Sequence, residues 1–158
     1  MGMPPADFER TYTVLWGDID ANRHMRNTAY SDYASHTRFA FLAEHGFSLD
    51  RLAELGMGPV LFKETTEYYR ELRLHDRLRI DLRLAAWAPD GSRWRVAHEL
   101  FRLGPDGERT RAAAIAMEGA WFDLRTHKLT LPPAELVAVF AALPRTADFE
   151  ALPARRKR

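Results

Sequence analysis

The chain of 158 residues contains no cysteine, which excludes disulfide bonds and zinc sites built from thiolates. It also has no uninterrupted apolar run of about 18 residues, so no segment is suited to span a bilayer as a helix. The first seven residues lack the basic and apolar regions of a secretory signal. We therefore expect a cytoplasmic protein.

The chain lacks a large excess of charge of either sign outside its C-terminus. The formal net charge is +1, and the last four residues, 155–158, carry +4, which leaves −3 on the rest of the chain. A short terminal run of basic residues is typical of a solvated chain end. We expect residues 147–158 to form a disordered basic tail, and we expect neither a nucleic acid nor a membrane as partner.

The remaining composition is that of a globular protein, with 46% hydrophobic and 28% charged residues. A chain of this length forms one core of ordinary size. We therefore expect a single domain over residues 1–146.

Two kinds of periodicity follow each other along the chain. Residues 8–16 alternate as an extended strand with Phe8, Tyr12, Val14 and Trp16 on one face. Residues 29–45 then place apolar and aromatic side chains at helical spacing, and Asn27 or Thr28 and Gly46 are suited to begin and end that helix. The stripe consists of Tyr30, Tyr33, Ala34, Thr37, Ala40 and Phe41.

A second, short helix is predicted from the N-cap Ser48 to Gly56, with Phe47 and Leu52 as a hydrophobic staple. Four strands should follow at about 59–70, 77–88, 92–103 and 109–123, and a small helix at 134–143. The clearest strand alternates Leu78, Ile80, Leu82, Leu84 and Ala86 with Arg77, Arg79, Asp81, Arg83 and Ala85, which predicts one buried and one wet face.

Pro-Asp-Gly occurs at 89–91 and again at 105–107, each time between strand-like runs. Both copies predict hairpin turns, because these residues favour tight chain reversals. The order of elements therefore predicts an α+β fold in which a curved antiparallel sheet wraps one long helix.

The densest polar segment, residues 16–27, lies between the first strand and the start of the long helix. A helix start offers unpaired N–H groups and a partial positive charge, which suit a carbonyl oxygen that becomes an oxyanion. A nearby carboxylate can attack that carbonyl or take a proton from water. Asp18 and Asp20 are the candidate acids, and spacing alone does not choose between them.

The sequence resembles the 4-hydroxybenzoyl-CoA thioesterase group of hotdog-fold acyl-CoA thioesterases. Three stretches carry the likeness over about residues 8–135: Trp-Gly-Asp-Ile-Asp at 16–20 with His24, Asn27, Tyr30 and Tyr33; Glu67-Tyr68-Tyr69 with His75-Asp76-Arg77-Leu78; and Phe122-Asp123 with Lys128 and Leu131-Pro132. The resemblance implies hydrolysis of an acyl-CoA thioester to a free acid and CoA. It implies no metal or further cofactor, since coenzyme A is part of the substrate.

The resemblance also implies the site. Asp20 matches the catalytic acid, as nucleophile or general base. His24 matches a histidine that orients the acid, binds the carbonyl or holds the loop, and Asn27 matches a polar position before the helix. One departure is Asn22-Arg23, which stands where a glycine commonly precedes the histidine.

Further candidates belong to the substrate-binding side. They are Asp18, Tyr30 and Tyr33, with Arg70, Arg73, Arg93 and Arg95 as possible ligands for the phosphates of coenzyme A. The fold of this group has about five strands, and its members join edge to edge with sites at the subunit interface. Pairing would also protect exposed strand edges, so we expect a homodimer or homotetramer.

Several alternatives remain open at this point. Asp18 and Asp20 could simply satisfy backbone N–H groups in a turn, and His24 could be structural. A metal site has little support because no HxxxH spacing is present. The same fold could also carry an enoyl-CoA hydratase or dehydratase that uses Asp20 and His24 as an acid–base pair, or a non-catalytic acyl-CoA-binding module.

Overall fold

A computed structural model describes residues 7–156 of the chain. Within this range the chain forms seven strands and three helices. Their bounds are β1 Phe8–Thr13, α1 Asn27–Glu44, α2 Leu49–Leu55, β2 Met57–Tyr68, β3 Arg77–Trp87, β4 Arg93–Leu103, β5 Arg109–Asp123, β6 Lys128–Thr130, α3 Ala134–Ala141 and β7 Arg145–Ala151. The predicted long helix, short helix and four central strands are confirmed with small shifts at their ends.

The strands form one sheet in the order β1-β3-β4-β5-β2, and all neighbours along this path are antiparallel. Strand β6 adds to β5 and β7 adds to β3. Both Pro-Asp-Gly segments lie in turns, between β3 and β4 and between β4 and β5. The predicted α+β fold, with a sheet of five main strands around a long helix, is confirmed.

Helix α1 packs its apolar stripe onto the sheet. Tyr30, Tyr33, Ala34, Thr37 and Phe41 are buried. Phe41 meets Phe8 of β1 edge to face at 5.1 Å between ring centroids, and Tyr33 lies 5.2 Å from Tyr12. Aromatic pairs at these spacings add to the hydrophobic stabilisation, so they hold α1 against the strand that leads into the polar segment.

Turn chemistry places the ends of the first two helices where the sequence predicts them. Gly46 follows α1 with φ 88°, a left-handed conformation that glycine adopts without steric strain. The Ser48 hydroxyl accepts a hydrogen bond from the Arg51 N–H at 3.2 Å, and Gly56 ends α2 in the left-handed region.

Two expectations at the start of the chain are wrong. Strand β1 ends at Thr13, and Trp16 lies in a short 3-10 helix, Trp16–Asp18, with 78% of its surface exposed. Helix α1 begins at Asn27, so neither Asn27 nor Thr28 is its cap: the N-cap is Arg26, which makes no side-chain capping bond. Since Arg26 lacks an acceptor, the helix start keeps open N–H donors.

The wet face predicted for β3 is wrong at Asp81 and Ala85, which are both buried. The Asp81 carboxylate accepts hydrogen bonds from the Glu99 N–H at 2.6 Å and from Arg83 Nε at 2.8 Å. These two donors replace water, so the carboxylate can be covered. The rest of the alternation on β3 is confirmed.

The disorder expected for residues 147–158 is contradicted over its first part, because β7 runs parallel to β3 and reaches Ala151. Arg145 stacks its guanidinium 4.1 Å from the ring centre of Phe149, and Glu150 pairs with Arg95 at 3.3 Å. Strand β1 pairs with β3 only as far as Leu82, so the rest of β3 has an open edge with which β7 pairs. The amino-acid composition of the segment does not predict this pairing. Residues 157–158 lie outside the described part of the chain.

None of the helices within residues 7–156 has both the length and the apolar character that crossing a membrane requires.

Candidate functional site

The polar segment after β1 folds into a tight loop. Asp20 N–H donates to the His24 carbonyl at 3.0 Å and Arg23 N–H to the Asp20 carbonyl at 3.0 Å, while Ile19 and Met25 form an isolated bridge. Met25 N–H also donates to the Leu72 carbonyl at 2.7 Å, which ties the loop to the segment that follows β2. Asp20 therefore sits at the turn of a small, well-bonded hairpin.

The departure at Asn22-Arg23 has a structural consequence. Arg23 has φ 63°, so the residue just before His24 occupies the left-handed region that favours glycine. The loop thus keeps the conformation that a glycine would adopt easily, at some cost in backbone strain.

Asp20 lines a cleft of about 370 Å³. The walls of this cleft are formed by Asp20, His24, Met25, Asn27, Tyr30, Tyr68, Tyr69, Arg70 and Glu71. The Asp20 Oδ1 atom accepts a hydrogen bond from the Asn22 N–H at 2.8 Å, which fixes the carboxylate within its own turn. The three predicted catalytic residues, Asp20, His24 and Asn27, are therefore brought together at one cleft.

The start of α1 forms one wall of this cleft, because Asn27 is its first residue. The N-cap, Arg26, makes no side-chain capping bond. The first N–H groups of a helix carry a partial positive charge, and they favour an anion or a developing oxyanion nearby. A carboxylate and an open helix N-terminus thus border the same space.

Two tyrosines also line the cleft. The Tyr30 and Tyr68 rings meet edge to face at 5.0 Å, and the Tyr68 hydroxyl donates to the Asn27 carbonyl at 3.4 Å. Burial raises the pKa of Tyr30 above 10.0, and the charges of Glu71 and Asp20 contribute further to the rise. Tyr30 therefore stays a neutral hydroxyl next to the acids of the cleft.

Glu71 gives the cleft a second carboxylate, near His24. Its own backbone N–H is the main cause that lowers the pKa of the Glu71 carboxyl, and the nearby His24 also lowers it. The sequence carried no signal for Glu71. Only the Glu-Tyr-Tyr likeness drew attention to Tyr68 and Tyr69 in the sequence. Two adjacent aromatic residues at a strand end are a further feature that could have identified them as site residues.

Asp18 and Tyr33 lie together, and neither lines the cleft. The Tyr33 hydroxyl donates to Asp18 Oδ2 at 2.5 Å, and the Leu15 N–H donates to the same carboxylate at 3.1 Å. The Arg26 N–H donates to the Asp18 carbonyl at 2.7 Å. In this arrangement Asp18 fastens the loop to α1 and β1, while Asp20 faces the cleft.

The basic candidates are spread over the molecule. Arg70 lines the cleft, whereas exposed Arg73 pairs with Glu71 at 3.3 Å just outside it. Arg93 and Arg95 border a different groove near Gly119 and Leu152, and Arg95 is paired with Glu118 at 2.8 Å. Of these four arginines, only Arg70 lines the cleft with Asp20.

Comparisons with solved structures show the same fold. A hypothetical protein from Staphylococcus aureus, in complex with CoA, superposes with a TM-score of 0.78 at 24% identity, over 93% of this chain and 92% of that chain. The dynemicin thioesterase gives 0.79 at 20% identity over 90% and 100%. A 1,4-dihydroxy-2-naphthoyl-CoA thioesterase from Synechocystis gives 0.74 at 14% identity over 86% and 96%.

At these identities the structures establish the fold, which is the hotdog fold. No curated protein sequence gives a significant match. A family model does: the model described as the thioesterase-like superfamily matches residues 14–140. Since this covers most of the chain, the protein belongs to the thioesterase-like superfamily.

Proposed function

We propose that the protein hydrolyses an acyl-CoA thioester and that Asp20 is the catalytic carboxylate. The observation that carries the proposal is the cleft in which Asp20 and His24 face the open N-terminus of α1. Acyl transfer needs a nucleophile or base and a group that stabilises negative charge on the carbonyl oxygen. Membership of the thioesterase-like superfamily supports this reaction class.

Two routes are compatible with the geometry. In the first, an Asp20 oxygen attacks the thioester carbon, the C–S bond breaks, coenzyme A leaves as a thiol after taking up a proton, and water hydrolyses the resulting anhydride. In the second, Asp20 takes a proton from a water whose oxygen attacks the same carbon, the C–S bond breaks, and the leaving thiolate of coenzyme A takes up that proton. In both, the N–H groups of the first turn of α1 stabilise the oxyanion, and the products are a free acid and coenzyme A.

The roles of the other residues follow from their positions. His24 and Asn27 line the cleft together with Asp20 and would contact the thioester carbonyl, and Tyr30 is the buried tyrosine of the cleft. Arg70 is the basic side chain in reach of the substrate's polar arm. The structural relative that is in complex with CoA and the relative named as a naphthoyl-CoA thioesterase support coenzyme A as the carrier. We propose no metal or redox cofactor for this hydrolysis.

The test is thiol release from a panel of short, long, branched and aromatic acyl-CoAs. Asp20→Asn keeps the acceptor for the Asn22 N–H and removes the charge, so we expect a loss of at least about a hundredfold. Asp32→Asn, which changes an exposed acid on α1, should keep wild-type activity. Full activity in Asp20→Asn would refute the assignment. Hydration of crotonyl-CoA without thiol release would favour a hydratase, and tight binding without turnover would favour a binding module.

We further propose that two chains pair through β2. This strand is an edge of the sheet, and Leu61 and Phe62 expose 43% and 51% of their surfaces there. Apolar edge strands are favourable sites for pairing with another chain, and a second β2 would lie beside the cleft, one wall of which contains Tyr68. Leu61→Lys should lower the mass measured by light scattering, while Leu49→Lys, at a leucine on α2 that is even more exposed (68%), should not. A wild-type monomer would contradict this.

A further inference from the structure

The inner face of α1 carries a cation that the proposed chemistry does not use. Arg38 is largely buried, and its Nη1 atom lies 3.2 Å from Nε2 of His98 on β4. His98 is fully buried, and its Nδ1 atom lies 2.7 Å from the Asp81 carbonyl. Since a carbonyl can only accept, Nδ1 carries the proton and Nε2 accepts from Arg38.

The bond to a neutral imidazole positions the guanidinium and leaves its charge unbalanced. Burial lowers the pKa of the Arg38 guanidinium to about 10, so it is still charged at neutral pH. Within residues 7–156 no carboxylate lies within ion-pair distance of it. The charge of Glu64 acts on Arg38 without an ion pair, and the Glu64 carboxylate is hydrogen-bonded to Ser31. A desolvated arginine in this state favours an anionic ligand.

Arg38 is on the same side of α1 as the proposed active site. It follows Asn27 by 11 residues, which is three helical turns, so the two lie on one stripe roughly 16 Å apart along the axis. Long side chains on a helix point towards its N-terminus, which brings the guanidinium nearer to the cleft.

Side chains of α1 and β2 that contact each other lie between the two positions. On the helix they include Ser31, which bonds Glu64, and on the strand Glu64, Thr66 and Tyr68, which share a face by alternation. Tyr68 contacts the first turn of α1, and Thr66 is in register, through Ile115, with His98. These side chains are polar, unlike those that line a channel for an aliphatic tail.

We propose that Arg38 is a specificity-determining residue that binds a carboxylate at the far end of the substrate's acyl group. The protein would then prefer thioesters of dicarboxylic acids, in which one carboxyl carries coenzyme A and the other is free. This inference rests on the proposed function, because the distance is measured from the thioester position at Asp20 and Asn27.

The experiment compares adipoyl-, suberoyl- and sebacoyl-CoA with hexanoyl-, octanoyl- and decanoyl-CoA, matched in chain length. Wild type should show a higher kcat/KM for the dicarboxylic member of at least one pair. Arg38→Met should reduce that preference about tenfold to a hundredfold, the range expected for a lost hydrogen bond to a charged group, and leave kcat/KM for the neutral member largely unchanged. Arg38→Lys should restore part of the preference. Arg51→Met, at an exposed arginine of α2 that pairs with Glu54, should keep all of it.

Three results would overturn the inference: no dicarboxylic preference in wild type, a preference that survives in Arg38→Met, or an equal loss for both members of a pair. A second measurement needs no variant, since free suberate should inhibit wild-type octanoyl-CoA hydrolysis more strongly than octanoate does. Absence of thiol release from every thioester, neutral ones included, would instead reject the proposed function. In that case a larger thermal shift with suberate than with octanoate still supports the Arg38 site, and equal shifts reject it.

Discussion

Buried His98 should make the protein sensitive to mild acid. Burial, and next the charge of Arg38, lower the pKa of His98 from 6.5 to about 3. Between these values the unfolded chain binds a proton that the folded chain does not. The contribution of His98 to stability is therefore fully present above pH 6.5 and is lost as the pH falls towards 3.

The size of the effect follows from linkage, which gives about 1.4 kcal/mol per pH unit for one proton. Between pH 7 and pH 5 we expect His98 to lower the free energy of unfolding by about 2 kcal/mol. Urea unfolding followed by tryptophan fluorescence measures this, because Trp87, Trp94 and Trp121 are buried.

The comparison is with His98→Gln, which is expected to be less stable at pH 7 but to lose about 2 kcal/mol less on going to pH 5. His36→Gln, an exposed histidine on α1, should behave as wild type. The raised pKa of Asp81 acts in the opposite sense in both proteins and cancels in the difference. Equal pH dependence of wild type and His98→Gln would refute the assignment of a neutral, locked His98.

Two further predictions concern the supports of the site. Tyr33→Phe removes the donor to Asp18 and should lower the free energy of unfolding by roughly 1.5–3 kcal/mol. Because burial, and next the hydrogen bond to Asp18, raise the pKa of Tyr33, the variant should also lose less stability than wild type above pH 10. Unchanged urea unfolding curves would contradict both statements. Gly119→Ala would place a Cβ atom 2.3 Å from the Val60 carbonyl, so it should lower the melting temperature strongly, whereas Gly58→Ala, which has open space, should not.

Local rules account well for the elements and for the loop that carries the site. The stripe on α1 and the alternation on β3 place their side chains in the core as predicted, because periodicity reports which face must leave water. Asp20 and His24 could be named from a short motif, since residues within one loop remain close together in any fold.

Local sequence patterns did not predict the contacts between residues that are far apart in sequence. Glu71 reaches the cleft because Leu72 bonds the loop, and the open start of α1 depends on Arg26 being its cap. Asp18 and Asp20 have the same chemistry in sequence. Tertiary contacts distinguish them, because the Tyr33 hydroxyl and the Leu15 N–H hold Asp18 while Asp20 lines the cleft.

The sequence by itself determined the fold class, the order of elements and the loop from Gly17 to Asn27, because each depends on side-chain periodicity or on neighbours along the chain. The tertiary structure alone decided that Arg38 meets His98, that Arg93 lies away from Asp20, and that residues 145–151 become a strand. Each of these depends on a strand pairing or a helix–sheet contact between residues far apart in sequence, and no local pattern encodes such a pairing.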